Sequence, residues 1–361
     1  MNAGGGVVIT GLGAFTPVGN DAAQTAAAVR AGISRLAGWR PGGSVGGGPR
    51  IMAAALPENY GDIAWTDKFE DLLMRPMYEA LWDAGLYDLV EHRSRSRGLL
   101  GLYLATPAPG RAGITDSAYR DFAAEAKSLA SIQARVDHVE LVAREHTAGL
   151  AALDLAVAHL KAEKIDVAVV AGVDSQLHGP HLARLAEHGF LKLPGVPQGL
   201  LPGEAAAVLV LERSRDARAR KAAARARIGT ITLDVESTPL GERYPIRGEA
   251  ATHVIAATLA ADGRADQLQR VITDMSGERW RAIEWAIVET RCLGALAPGW
   301  ELWHPADCFG DLGAATSVAH AVIMARAFAR GYAGAGGVLL FAASHAGERA
   351  AATLWPPAEE N

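Results

Sequence analysis

Cysteine is almost absent: the 361 residues contain only Cys292 and Cys308. Two thiols cannot build a disulfide framework, so a reducing compartment, the cytoplasm, is expected. Nor does any apolar run reach transmembrane length, which argues against a membrane-spanning chain. The first residues, MNAGGGVVITGLGAF, lack a basic region and a cleavage site, so no signal peptide is expected. A strong positive charge is missing as well. Net charge is −5, and nothing in its distribution suggests a nucleic-acid partner. Aromatic residues make up only 6%. No paired i, i+4 histidine motif occurs, so neither a metal nor another cofactor is expected.

What is abundant is hydrophobic residues, at 50%, against 21% charged, the balance of an ordinary folded globule. Two stretches carry the most information. REHTAGLAALDLAVAHLKAEKIDVAVVAG (Arg144 to Gly172) and GDLGAATSVAHAVIMARAFARG (Gly310 to Gly331) each open on a small-residue turn and continue as an apolar helix. A β-rich run follows each, VAVVAGVDS and GVLLFAASH. Aligned on Gly149 and Gly313, they read as one unit used twice, which predicts two similar half-domains. Their join is placed in the basic run near residues 213 to 227, giving halves of 1–225 and 226–361.

Local patterns fill in the elements. Val7 to Phe15 reads as a buried strand, and Asn20-Asp21 caps a following helix. Residues 36 to 66, rich in Gly and Pro, read as a surface excursion. Phe69 to Leu86 is helical and stops at Gly85, with Pro76 implying a kink or a broken start. Leu99 to Thr106, Gly203 to Glu212 and Ile228 to Val235 read as strands. VELVA (Val139 to Ala143) has the length and pattern of an edge strand.

Five of these segments, in order, resemble the β-ketoacyl synthases of the thiolase superfamily: VVITGLGAFTPVGND, DAGL (Asp83 to Leu86), IDVAVVAGVDS, LLPGEAAAVLVLE and FGDLGAAT. The resemblance implies an α/β thiolase fold of duplicated halves in five α-β-α-β-α layers, usually a homodimer. It also implies a Cys nucleophile at a helix start, where the positive helix end lowers the thiol pKa, and two His that assist condensation. Here the chain departs from the family. An ungapped alignment puts His146 at the Cys position, and a shift of one residue puts Glu145 there. Gly310 stands at one His position and Asp274 nearest the other. Pro305 replaces the family's Lys, and His345 its late gating Phe.

With these replacements, condensation of acyl and malonyl thioesters is not expected. Two classes of function stay open. One is a non-condensing partner or scaffold subunit in fatty acid or polyketide biosynthesis. Such a subunit would form a homodimer or pair with a ketosynthase relative, and would engage an acyl carrier protein. Polyketide chain-length factors resemble this. The other is an acyltransferase, thioester hydrolase or decarboxylase with a rewritten pocket that uses His146, Asp274 or Cys308. Glu145, His304 and His345 are further pocket candidates, with Asp307 beside them. Glu278 and Glu284 read equally as pocket lining or as structural ion pairs. His178 and His181 read as surface or interface residues, and Trp280, Trp285, Trp300 and Trp303 as core packing with partly exposed edges.

Overall fold

The computed structural model describes residues 6–41, 50–57, 65–88, 93–94, 98–133, 136–238 and 245–357. Strand β1 (Val7–Phe15) is buried along its whole length and leads to α1 (Ala22–Arg30), which is capped by Asp21 accepting from the Gln24 N–H. Short strands β2 (Ala37–Trp39) and β3 (Ile51–Ala53) pair within the Gly- and Pro-rich stretch. Helix α2 (Trp65–Asp83) follows and contains Pro76 in its interior, so the helix is not broken there. It lies against β1 at Gly11 and Gly13, where a Cβ would meet the carbonyl oxygens of Ala80 and Pro76 at 2.1 and 2.0 Å. Only glycine permits that approach.

A small ladder of β4 (Tyr87–Asp88) and β5 (Arg93–Ser94) precedes β6 (Leu100–Thr106), α3 (Asp116–Gln133) and β7 (His138–Ala143). A 3-10 turn, Glu145–Thr147, opens α4 (Ala148–Lys161). Strand β8 (Val167–Ser175), α5 (Gly179–Glu187), β9 (Glu204–Arg213) and α6 (Ser214–Ala219) come next. The remainder comprises β10 (Ala226–Val235), α7 (Glu249–Asp262), β11 (Leu268–Thr273), α8 (Arg279–Cys292), β12 (Glu301–Trp303) and α9 (Ala306–Phe309). A second 3-10 turn, Gly313–Ala315, opens α10 (Thr316–Ala329), and β13 (Gly337–Ala343) and β14 (Glu348–Trp355) follow.

Ten strands run in the order β12-β11-β13-β14-β10-β1-β9-β8-β6-β7. From β1 outward the pairings are antiparallel, antiparallel, parallel, parallel. From β10 outward they are the same. β1 and β10 meet antiparallel through three residue pairs. Helices α4 and α10 share one core with strands of both flanks, including Ile9, Val170, Leu209, Leu340 and Ala350. Helices α2 and α3 cover the opposite face of one flank, and α7 and α8 that of the other. With both faces covered, β8 and β9 bury every residue, which is why they read as unbroken apolar runs. No helix among the described residues is long and apolar enough to cross a membrane.

Two of the buried histidines are held neutral by this interior. Burial pushes the imidazole of His320, on α10, down to about 3. It pushes that of His181, on α5, down to about 2, with the Arg111 charge adding to the effect. His181 is therefore no surface residue; it is buried against the side-chain oxygen of Gln176. Both rings stay neutral in the fold, whereas an unfolded chain protonates them near pH 6.5. Their stabilising effect is thus complete above pH 6.5 and lost as the pH falls toward about 3. Thermal unfolding should show a midpoint that drops across this window. His320→Leu should flatten the drop; an unchanged pH slope would refute the assignment.

Candidate functional site

The 3-10 turns that open α4 and α10 touch each other. Ser317 Oγ donates to the His146 carbonyl at 2.6 Å. Gly149 faces Ser317 and Val318 so closely that a Cβ would lie 2.9 Å from either side chain. Glu145, at the start of the first turn, has φ 51°, a left-handed conformation costing a non-glycine residue roughly 1–2 kcal/mol. Strain of that kind survives only where the surroundings over-determine it.

Those surroundings are an ionic network. His146, 1% exposed, places Nε2 at 2.8 and 2.9 Å from the two carboxylate oxygens of Asp311. A carboxylate only accepts, so Nε2 carries the proton. Asp311 also accepts from Gln176 Nε2 at 2.9 Å and from the Gly313 N–H at 2.8 Å. Burial alone would raise its pKa, but His146, Arg281 and the Gly313 N–H together hold it well below the carboxylate range. Arg281 on α8 is the hub. It donates to Asp274 at 2.5 Å, to Glu278 at 2.7 Å and to the Ala343 carbonyl at 2.6 Å. Asp274 further accepts the Ala343 N–H at 2.7 Å.

Glu278 then binds His345 Nε2 at 2.6 Å. Burial opposes charge on both, yet each sustains the other. The Glu278 carboxyl is held down to about 2 by His345 and Arg281, and the His345 imidazole is pushed up to about 10 by Glu278 and Glu145. His345 Nδ1 lies 3.8 Å from Glu145 Oε2, an ion pair rather than a hydrogen bond. Although burial would raise it, the charges of His345, Arg111 and His146 depress the Glu145 carboxyl strongly. The His345 ring packs among Phe190, Trp280 and His146. Close by, Asp174 pairs with Arg111 and accepts the Ala314 N–H at 2.8 Å. Carboxylates therefore already hold the Gly313 and Ala314 N–H groups at the start of α10, and these donors cannot also hold an oxyanion.

The structure brings Glu145, His146, Asp274 and His345 together. His304 and Cys308 line a different cavity of about 330 Å³, with Asp307, Trp303, Val29 and Arg30. His304 pairs there with Asp307 as an exposed i, i+3 contact. Burial and the Asp307 charge push the Cys308 thiol up, away from a thiolate. Glu284 forms a buried ion pair with Arg349. Trp280 and Trp285 are core residues, and Trp300 packs at the edge of the same core.

Gly310 has φ 73° and ψ −168°, a conformation essentially restricted to glycine, and a Cβ there would stand 2.7 Å from the Leu201 carbonyl oxygen. A histidine cannot be restored at this point without moving backbone. Gly310→His should lower stability by about 1–3 kcal/mol, read from urea unfolding; a variant as stable as the parent would contradict this geometry.

Arg281, Asp311, Arg111 and Asp174 went unread in the sequence. The available signal was a charged residue inside an otherwise apolar motif, as Asp311 is in Gly-Asp-Leu-Gly-Ala-Ala and Asp174 is at the end of β8.

The β-ketoacyl synthase N-terminal domain family matches residues 142–217. No curated protein matches the chain. Among solved structures, a type II polyketide acyl-carrier protein in complex with its ketosynthase (AntDE:AntF) is 16% identical with TM-score 0.79, covering 98% of this chain and 100% of that one. The ishigamide ketosynthase/chain length factor is 17% identical with TM-score 0.79, covering 99% and 100%. A β-ketoacyl synthase from Burkholderia phymatum STM815 is 17% identical with TM-score 0.77, covering 98% and 100%. These likenesses, with the site above, identify the chain as an α/β protein of the thiolase/ketosynthase fold whose described residues hold a Glu145–His146–His345 cluster and no Cys-His-His triad.

Proposed function

We propose that this protein is a non-condensing partner subunit, working beside a ketosynthase or an acyl carrier protein in cytoplasmic fatty acid or polyketide assembly. The observation that carries the reading is a whole ketosynthase-type fold in which His146 and Asp274, at two of the reactive positions, are committed to buried ion pairs and the third position is Gly310. Two of the similar structures are a ketosynthase with its carrier protein and a ketosynthase/chain length factor, which supports the same class of partner. Residues 1–225 and 226–361 are read as two thiolase-type halves stacked α-β-α-β-α. The matching pairings outward from β1 and β10, with α4 and α10 between them, support that reading. Hydrolase or transferase chemistry at Cys308 finds no support, because its thiol is buried and its pKa raised.

β7 supplies the surface for pairing. It is an outermost strand of the sheet, bonded to β6 on one side, and every one of its residues is only half-buried. An edge of this kind is a template for a second strand across a two-fold axis. Light scattering at micromolar concentration should report a dimer of the chain alone, or a 1:1 complex once a ketosynthase relative is co-expressed. A monomer under both conditions would sink the proposal.

A further inference from the structure

Two polar atoms in the cluster have no hydrogen-bond partner although they are buried: His146 Nδ1 and Glu145 Oε2. Such atoms are costly to leave unmatched and call for explanation. His146 itself is 1% exposed, so water does not reach its ring from bulk solvent. One donor atom each from Glu145, His146 and His345 lie within 4.8 Å of one another. In both histidines the other nitrogen is already fixed by a buried carboxylate, Asp311 for His146 and Glu278 for His345. Each Nδ1 becomes a lone-pair donor on giving up a proton to solvent, as metal binding requires, and a carboxylate behind an imidazole is the arrangement that orients a metal-binding histidine and raises its basicity. Around the cluster stand five carboxylates (Glu145, Asp174, Asp274, Glu278, Asp311) against the guanidinium groups of Arg111 and Arg281 and the two imidazoles themselves. The side chains of His345 and Glu145 keep 20% and 18% exposure, which leaves a route in from solvent.

We propose that Glu145, His146 and His345 bind one divalent first-row transition-metal ion, with zinc as the reference case. Two imidazoles and one carboxylate suit zinc and its neighbours rather than calcium or magnesium, which take oxygen donors. Bonds of about 2.0–2.2 Å would draw the donors together to roughly 3.3 Å in a tetrahedron. The three side chains would have to close in on the ion from the 4.8 Å within which their donor atoms now lie. Three protein ligands leave at least one position open for water or another small ligand. No local sequence motif signals such a site, since Glu145 and His146 open α4 while His345 follows β13.

The test uses the full chain, stripped with chelator and titrated with zinc chloride. Isothermal titration and elemental analysis after desalting should give one zinc per chain. Glu145→Gln and His345→Gln should each weaken binding at least tenfold, a loss that second-shell changes alone already reach. His253→Gln, at an exposed residue of α7 paired with Asp234, should leave binding unchanged. X-ray absorption of the zinc-loaded parent should show only nitrogen and oxygen neighbours, with an imidazole signature. Failure to retain zinc, unaltered affinity in both variants, or a sulfur neighbour near 2.3 Å would overturn the proposal, because the site contains no cysteine. Should either variant fail to fold by circular dichroism, the absorption spectrum of the parent decides the question alone.

Discussion

Replacing Arg281 with methionine should destabilise the protein by about 3–5 kcal/mol, the usual cost of stripping a buried ion pair of one member. Arg281 is 3% exposed and binds two carboxylates and a carbonyl at once. Burial disfavours its charge, but Asp274, Glu278 and Asp311 more than compensate, raising its pKa further still. Without it, Asp274 and Glu278 would remain buried with too little positive charge, and methionine offers no donor. Urea unfolding measures the loss. Adding Asp274→Asn and Glu278→Gln to the same variant should return part of it, since neutral amides no longer need the cation. A loss below about 1 kcal/mol in the single variant would mean that the network is not what holds this region together.

Condensation is the second large effect, and restoring one residue should not recover it. A ketosynthase needs a thiolate to carry the acyl group and donors to steady the enolate left by decarboxylation. In this chain Asp274 is a carboxylate committed to Arg281 and the Ala343 N–H. Gly310 has no side chain and a backbone that excludes one. His146→Cys would place a thiol beside Asp311, whose negative charge opposes thiolate formation. Glu145→Cys would sit among the charges of His345, Arg111 and His146, which favour a thiolate, but the donors that steady the enolate would still be missing. Loss of a catalytic nucleophile costs on the order of 10⁴ to 10⁶ in covalent mechanisms, and residues that act as a unit do not return it singly.

Much of the fold was legible because its signals are local. The apolar runs of β1, β8 and β9, the Asp21 cap and the paired openings of α4 and α10 all lie within short windows of sequence. At Pro76 one of the two readings fails: the start of α2 is not broken there, since the helix runs through Pro76 from Trp65 to Asp83. The candidate site was legible only in part. Glu145, His146, Asp274 and His345 stood at positions that the family resemblance marked. Their partners did not, since His146 reaches Asp311 across 165 residues and Arg281 reaches Ala343 across 62. His181 read as a surface or interface residue because nothing local to α5 reveals that its ring is buried against Gln176. The left-handed backbone of Glu145 carried no signal either, since glycine is the usual mark of that conformation.

The most direct test of the central claim is incubation of the purified chain with acyl- and malonyl-loaded carrier protein. Intact-protein mass spectrometry would look for an acyl adduct, and chromatography for a β-ketoacyl product. The account predicts an unmodified chain and no product above the uncatalysed background. A β-ketoacyl product formed at an ordinary enzymatic turnover of about 1 s⁻¹ or faster, or an acyl group on Cys308, would contradict it.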